Sequence, residues 1–101
     1  ALYPGNAITP HRTPDLAKAA AAVLEQRGLT GNGWSSAWKA GCWARLYQPE
    51  KAMVNFDHAM ATYTCPNLFS ICSGVPQVDA SHGFTAVIKP ILMNAWAARK
   101  R

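Results

Sequence analysis

The sequence predicts an all-α fold of about four helices in a single segment of 101 residues. Proline stands at the start of two helical patterns, and the apolar residues after these starts recur at intervals of three and four positions. No segment shows a convincing strand pattern, in which apolar and polar residues alternate. A chain of this length buries only roughly 60 to 65% of the surface that its unfolded form exposes, so we expect one modest core.

The first predicted helix begins at Thr13-Pro14-Asp15. Thr13 is the expected N-cap, Pro14 suits the first helical position because its φ is already fixed, and Asp15 complements the positive end of the helix dipole. An alanine-rich run continues the helix. Gly28 is expected to end it.

The second predicted helix follows the connector Gly31-Asn32-Gly33. Its apolar stripe recurs at every fourth position, through Trp34, Trp38, Cys42 and Leu46. Gly41 interrupts this helix at a cost of about 1 kcal/mol relative to alanine. Such a glycine indicates that a neighbouring helix or a ligand approaches closely.

The third predicted helix runs from Pro49 to about Thr62, and residues 63–81 are expected to form a long loop. Loops of this length are uncommon in compact domains and are often functional. The fourth helix would begin at Ser81, as its cap, and would be kinked by Pro90 before it ends near Ala98. Its inward face is expected to contain Phe84, Val87, Ile88, Ile91, Leu92 and Ala95.

The formal net charge is +5, and Lys89 with Arg99–Arg101 accounts for most of it. A basic tail can contact phosphate or anionic lipid, but a solvated terminus is the simpler interpretation, and we expect neither a nucleic-acid nor a membrane partner. No apolar run approaches the roughly 20 residues of a membrane span. The first residues lack an initiator Met and the features of a signal peptide, so we expect the chain to come from the interior of a longer protein.

The three cysteines show no Cys-x-x-Cys spacing, so we expect no metal site, and nothing in the sequence indicates a cofactor. Cys42 is expected to be a buried thiol because it lies within an apolar helix pattern. Cys65 and Cys72 could form a disulfide in an oxidising compartment, and the sequence leaves this open.

Asp79 is the strongest candidate for a catalytic residue. A carboxylate at the end of a long loop, just before a helix, can point into a cleft and accept a proton from water. The alternative is a structural role, in which Asp79 satisfies backbone donors at the helix start. His58 and His82 show no recognisable catalytic spacing and are interpreted as structural.

Trp34 is the candidate for substrate binding, because a flat aromatic face at the mouth of a helix can stack on the C–H face of a sugar. Packing in the core is the competing explanation for Trp34 and the expected role of Trp38, Trp43 and Trp96. Ser35 and Ser36 lie near a helix start, where capping explains a serine without nucleophilic catalysis.

Several motifs, in this order and spacing, resemble family 95 of the glycoside hydrolases, the inverting α-L-fucosidases and their relatives. They are Leu2-Tyr3-Pro4-Gly5-Asn6, Thr13-Pro14-Asp15-Leu16, Leu24-Glu25-Gln26-Arg27-Gly28, Gly33-Trp34-Ser35, Ala37-Trp38-Lys39, Trp43-Ala44-Arg45-Leu46, Asn67-Leu68-Phe69 and Gln77-Val78-Asp79. The resemblance implies a fragment of an (α/α)6 barrel, from the C-terminal part of the catalytic domain.

The resemblance also implies a mechanism. In the family, a glutamic acid is the general acid, and asparagines together with an aspartate activate water; Asp79 occupies the position of that aspartate. The general acid and the asparagines would lie upstream of Ala1. Ala80 replaces the glycine of the family motif and His82 its aromatic residue, and Ala80 could restrict a conformation that glycine allows.

The leading interpretation is therefore a fragment of an inverting glycoside hydrolase that acts on fucosylated glycans in the parent enzyme and is inactive alone. The alternatives are a small helical binding module with a basic C-terminal tail, or a truncated gene product without activity. Half of the residues are hydrophobic, more than a small core can cover, so we expect exposed apolar helix faces and self-association. The family's members are often secreted, but the sequence does not decide the location of this chain.

Overall fold

The computed structural model describes residues 1–72 and 74–99, and these contain four α-helices and one short β-hairpin. The elements are α1 (Pro14–Arg27), α2 (Gly33–Arg45), α3 (Pro49–Thr62), β1 (Ile71–Cys72), β2 (Val75–Pro76) and α4 (Val78–Arg99). The prediction of a mainly α-helical fold with four helices is confirmed. The sequence did not predict the antiparallel hairpin, in which Ile71 pairs with Pro76 and Cys72 pairs with Val75.

The predicted starts of α1 and α3 are confirmed, with Pro14 and Pro49 in the first turn of each helix. Thr13 lies at the cap position of α1, but its hydroxyl makes no capping bond. Instead, the backbone N–H of Thr9 donates to Thr13 Oγ1 over 2.9 Å, and that hydroxyl donates to the Thr9 carbonyl over 3.1 Å. Gly28 ends α1 with a φ of 57°, a conformation that glycine adopts without strain.

The centre of the fold is α2, which packs mainly against α3 and α4 and less extensively against α1. Its buried positions surround most of its circumference and do not follow a single stripe; they are Gly33, Ser36, Ala37, Lys39, Ala40, Gly41, Cys42, Trp43 and Ala44. Trp43 is buried in the main core, as predicted, and Trp38 packs against that core. Burial raises the pKa of the Cys42 thiol to about 12, so the thiol stays neutral within the apolar core.

Two sets of hydrogen bonds fix the start of α2. Asn32 Oδ1 accepts from the Ser35 backbone N–H, and Ser35 Oγ accepts from the Asn32 backbone N–H, each over 2.9 Å, which forms a capping box. Lys39 is 2% exposed, and its ammonium group donates to the carbonyls of Gly28 at 2.8 Å and Thr30 at 2.6 Å. Burial, and secondarily the charge of Arg27, lowers the pKa of Lys39. Its side chain therefore ties α2 to the connector that precedes it.

The structure corrects the predicted start of α4, which begins at Val78 and not at Ser81. Asp79 consequently lies in the first helical turn, and Ser81 lies inside the helix, where its hydroxyl contacts Ser70 instead of capping. Ala80 is helical and fully buried, so it meets no conformational demand that only glycine could satisfy. The helix continues through Pro90.

One side of α4 faces α2 and α3, and this decides which predicted inward residues are buried. Phe84, Val87 and Ile91 are buried, as predicted. Ile88 and Leu92 are 44% and 62% exposed, so the prediction that they face inward is wrong, because the predicted apolar face is wider than the side that α2 and α3 cover. Trp96 is 60% exposed, which contradicts its predicted place in the core. The side chain of Ala95 lies outside the described residues.

Three further predictions concern the rest of the chain. Cys65 carries a free thiol, so the structure does not contain a bridge between it and Cys72. Within the described residues, no helix combines the length and the apolar character that a membrane span requires. Lys100 and Arg101, the end of the predicted basic tail, lie outside the described residues.

Candidate functional site

A cleft of about 380 Å³ lies between α2, α4 and residues 1–13, which we call the N-terminal segment. Its walls are mainly apolar and aromatic, and the titratable groups in them are few. The lining residues are Tyr3, Pro4, Trp34, Ala37, Trp38, Asp79, His82, Gly83, Ala86 and Val87. The cleft thus brings together Asp79 and Trp34, the two residues that the sequence singled out for catalysis and substrate binding. A mainly apolar cavity with a few convergent polar groups is the usual form of a small-molecule site.

Asp79 is exposed and stands in the first turn of α4. Gln77 Nε2 donates to Asp79 Oδ2 over 3.4 Å, so the carboxylate is only weakly held by this neighbour. The positive end of the helix dipole favours its negative charge. Exposure to solvent within the cleft leaves the carboxylate able to accept a proton from a water molecule.

The indole of Trp34 packs on Gly83, which follows Asp79 by four residues on α4. A methyl group added at Gly83 would come within 3.1 Å of Trp34 Cζ3 and of the Ala37 methyl group. Glycine at this position therefore lets the indole approach the helix backbone. Trp34 remains 43% exposed, so part of its ring is open to the cleft.

The N-terminal segment supplies one wall of the cleft through Tyr3 and Pro4. Trp38 Nε1 donates to the Tyr3 carbonyl over 3.1 Å and holds this segment on α2. A methyl group added at Gly41 would come within 2.7 Å of Tyr3 Cε1. The close approach predicted at Gly41 is confirmed, but the neighbour is an aromatic ring from the N-terminal segment.

His82 is the lining residue that sequence reasoning set aside. It follows Asp79 by three positions on α4, and residues three apart share one face of a helix. The sequence shows this spacing, but with a predicted helix start at Ser81, Asp79 lies before the helix, so the spacing alone does not predict that the two side chains share a helix face. His58, in contrast, packs edge-to-face on Tyr63, with 5.9 Å between ring centroids, outside the lining of the cleft.

The chemistry available to this cleft follows from its titratable groups. Asp79 is the one carboxylate among the described lining residues, together with an imidazole and a phenol. Inverting hydrolysis of a glycoside needs two carboxyl groups across the scissile bond, roughly 6.5 to 9.5 Å apart. The described lining residues contain one carboxyl group and not such a pair. In the same part of the chain, no group of three His, Cys, Asp or Glu side chains could hold a metal ion.

Comparison with known proteins confirms the resemblance that the sequence motifs indicated. A family model, the glycosyl hydrolase family 95 catalytic domain, matches residues 1–92. A protein of Arabidopsis thaliana named alpha-L-fucosidase 2 is 36% identical to this chain over 104 aligned residues. The alignment covers 93% of this chain but 12% of the Arabidopsis protein, so the chain spans a small part of the length of this relative.

Proposed function

The chain belongs to glycosyl hydrolase family 95, and we propose that it contributes one side of the active-site cleft of an inverting α-L-fucosidase. The observation that carries the proposal is the presence of Asp79 and Trp34 in one apolar cleft. These residues lie 45 positions apart, on different helices, and both line the cleft; Gly83 allows the ring of Trp34 to pack on α4, the helix that carries Asp79. The name of the Arabidopsis relative supports a fucosylated glycan as substrate.

In this proposal Asp79 is the general base. Its exposed carboxylate accepts a proton from a water molecule in the cleft as that water attacks the anomeric carbon; the glycosidic C–O bond breaks, and the leaving oxygen takes a proton from the general acid. Trp34 binds the sugar by stacking its exposed face on the C–H face of the ring. The apolar walls of the cleft cover one side of the site, and we propose that the rest of the parent catalytic domain covers the other side and excludes bulk water, which strengthens the interaction of Asp79 with the attacking water.

The general acid comes from a part of the parent protein outside this chain. None of the other four carboxylates, Asp15, Glu25, Glu50 and Asp57, lines the cleft. We therefore propose that the chain is a single helical segment of a larger catalytic domain. The isolated chain is then inactive, because one carboxylate cannot serve both faces of the scissile bond.

The role of Asp79 is tested by Asp79→Asn in the full-length parent protein. Loss of a general base lowers turnover by about 10² to 10⁴-fold, whereas loss of a helix-terminal carboxylate costs only about 0.3 to 1 kcal/mol of stability. Asp15→Asn is the matched control, because Asp15 is also an exposed aspartate in the first turn of a helix. Steady-state hydrolysis of an α-L-fucoside and thermal unfolding should separate the two variants. Near-normal turnover of Asp79→Asn would show that this carboxylate is structural.

The inactivity of the isolated chain has its own test. Purified chain should release no fucose from an α-L-fucoside above a control without enzyme, at any concentration at which it remains folded. The parent protein, assayed in parallel, provides the positive control. Release of fucose by the chain alone would show that it contains a complete catalytic pair.

A second proposal concerns the isolated chain as a helical module. Ile88 and Leu92 are largely exposed on the same face of α4, and Met93 beside them is 57% exposed. An apolar helix face of this kind is an interaction surface. We propose that in the parent protein the rest of the catalytic domain covers it, and that in the isolated chain a second copy does.

A further inference from the structure

Ser70 lies at the end of the loop before the β-hairpin and is fully buried, with none of its surface exposed. A buried hydroxyl is stable only where hydrogen bonds replace those to water. Ser70 makes these bonds with two residues, Gln77 and Ser81, which stand two positions before and two positions after Asp79. The hydrogen bonds of Ser70 therefore hold a residue on either side of Asp79, the proposed general base.

The hydrogen bonds form a closed network. Ser70 Oγ donates to the Gln77 carbonyl, and the Gln77 backbone N–H donates to the Ser70 carbonyl over 2.9 Å. The Ser70 backbone N–H donates to Ser81 Oγ over 3.2 Å. Because the proton of Ser70 is already used, the Ser81 hydroxyl donates to Ser70 Oγ over the remaining 3.0 Å contact. Ser70 thus holds both Gln77, the residue before α4, and Ser81, in the first turn of α4.

Among the described residues, the carboxylate of Asp79 has no comparably short hydrogen bond of its own. The contact to its carboxylate from Gln77 Nε2 is 3.4 Å long and exposed. The position of Asp79 consequently depends on where the first turn of α4 lies, and Ser70 fixes that turn. A displacement of about 1 Å at a reacting group can cost about 10²-fold in rate.

We propose that Ser70 is a positioning residue for Asp79. This inference rests on the proposed function, since it assigns Ser70 an effect on catalysis that is exerted through the Asp79 carboxylate. Ser70 does not touch the cleft; it determines the orientation of the helical turn that presents the general base. The network of Ser70, Gln77 and Ser81 is the support that holds Asp79 toward the attacking water.

The test is a double-mutant cycle in the full-length parent protein. Ser70→Ala should lower kcat roughly ten-fold and leave KM within about two-fold, because the substrate contacts of Trp34 are unchanged. In the Asp79→Asn background, the same change should lower the residual kcat by less than about two-fold, because the group that it positions is already lost. An equal loss in both backgrounds would show a merely structural role and would overturn the proposal.

Ser36→Ala is the matched control. Ser36 is 1% exposed, lies in α2, and its Oγ has no hydrogen-bond partner among the described residues. If Ser70→Ala and Ser36→Ala lower kcat equally, the proposal is overturned. If Asp79→Asn alone keeps normal turnover, the proposed function fails, which is a result distinct from the failure of Ser70 as a positioning residue.

A second variant covers the case in which Ser70→Ala does not fold. Ser81→Ala removes two of the hydrogen bonds to Ser70 but keeps both bonds between Ser70 and Gln77. It should lower kcat in the same direction by a smaller factor, about three-fold, and again only when Asp79 is present. A folded Ser81→Ala protein with unchanged kcat would overturn the proposal.

Discussion

Trp34 is a partly exposed aromatic residue with a defined position. One part of its indole packs on the backbone of α4 at Gly83, where an added methyl group would come within 3.1 Å of the ring, and 43% of the residue stays exposed. A ring that is held on one side and open on the other presents a flat apolar surface at little cost in conformational entropy, because few of its rotamers remain available. Its exposure is therefore compatible with a specific role in binding.

Replacement of Trp34 separates binding from catalysis. In the parent protein, Trp34→Ala should raise KM for an α-L-fucoside roughly five-fold with a smaller effect on kcat, since loss of an aromatic contact costs on the order of 1 kcal/mol. Trp34→Phe keeps a ring on Gly83 and should give an intermediate KM. Steady-state kinetics decides the matter: an unchanged KM for Trp34→Ala would mean that this ring serves packing alone.

At the scale of the helices, the sequence predicts best those features that depend on local chemistry. Pro14 and Pro49 mark their helix starts correctly because a fixed φ and a missing N–H act at the residue itself. The predicted start of α4 at Ser81 is three residues too late, because the hydroxyl of Ser81 bonds to Ser70, eleven residues earlier, and does not cap the helix. No local pattern reports such a contact.

The same distinction applies to the site. Asp79 and Trp34 could be chosen as candidates from the sequence, Asp79 with the help of the family motif, but their meeting in one cleft depends on the crossing of α2 and α4. Tyr3 enters the cleft through a hydrogen bond from Trp38, 35 residues away. The sequence does not predict the role of Lys39 either. A lysine is rarely buried unless it is paired, and the carbonyls that accept its hydrogen bonds belong to the connector before α2.

The packing of the N-terminal segment on α2 can be tested at Gly41. Gly41→Ala gains about 1 kcal/mol of helix propensity, but its methyl group would overlap the Tyr3 ring, and overpacking typically costs about 1 to 3 kcal/mol. We expect a net loss of stability on the order of 1 kcal/mol in denaturant unfolding. The Tyr3→Ala background removes the ring, so there Gly41→Ala should be stabilising. The same sign in both backgrounds would contradict the proposed contact.

At the scale of the whole molecule, one side of α4 lacks a covering element among the described residues. Its neighbours α2 and α3 bury Phe84, Val87 and Ile91, while Ile88 and Leu92 remain largely exposed. Half of the chain is hydrophobic, which exceeds what a core of this size can enclose. The chain matches 12% of the length of its Arabidopsis relative, which agrees with the proposal that further parts of a larger catalytic domain cover this face.

In isolation, the chain should cover this face by self-association. We expect its sedimentation coefficient to rise with concentration and the protein to bind a hydrophobic dye, because the burial of apolar surface yields roughly 25 cal/mol per Å². Leu92→Lys places a charge in the middle of the exposed face and should shift the equilibrium toward monomer. Gln26→Lys adds the same charge at an exposed position of α1 and should leave association unchanged. A monomer at all concentrations without dye binding would contradict the proposal, and equal effects of the two lysines would show that net charge, and not the apolar face of α4, controls association.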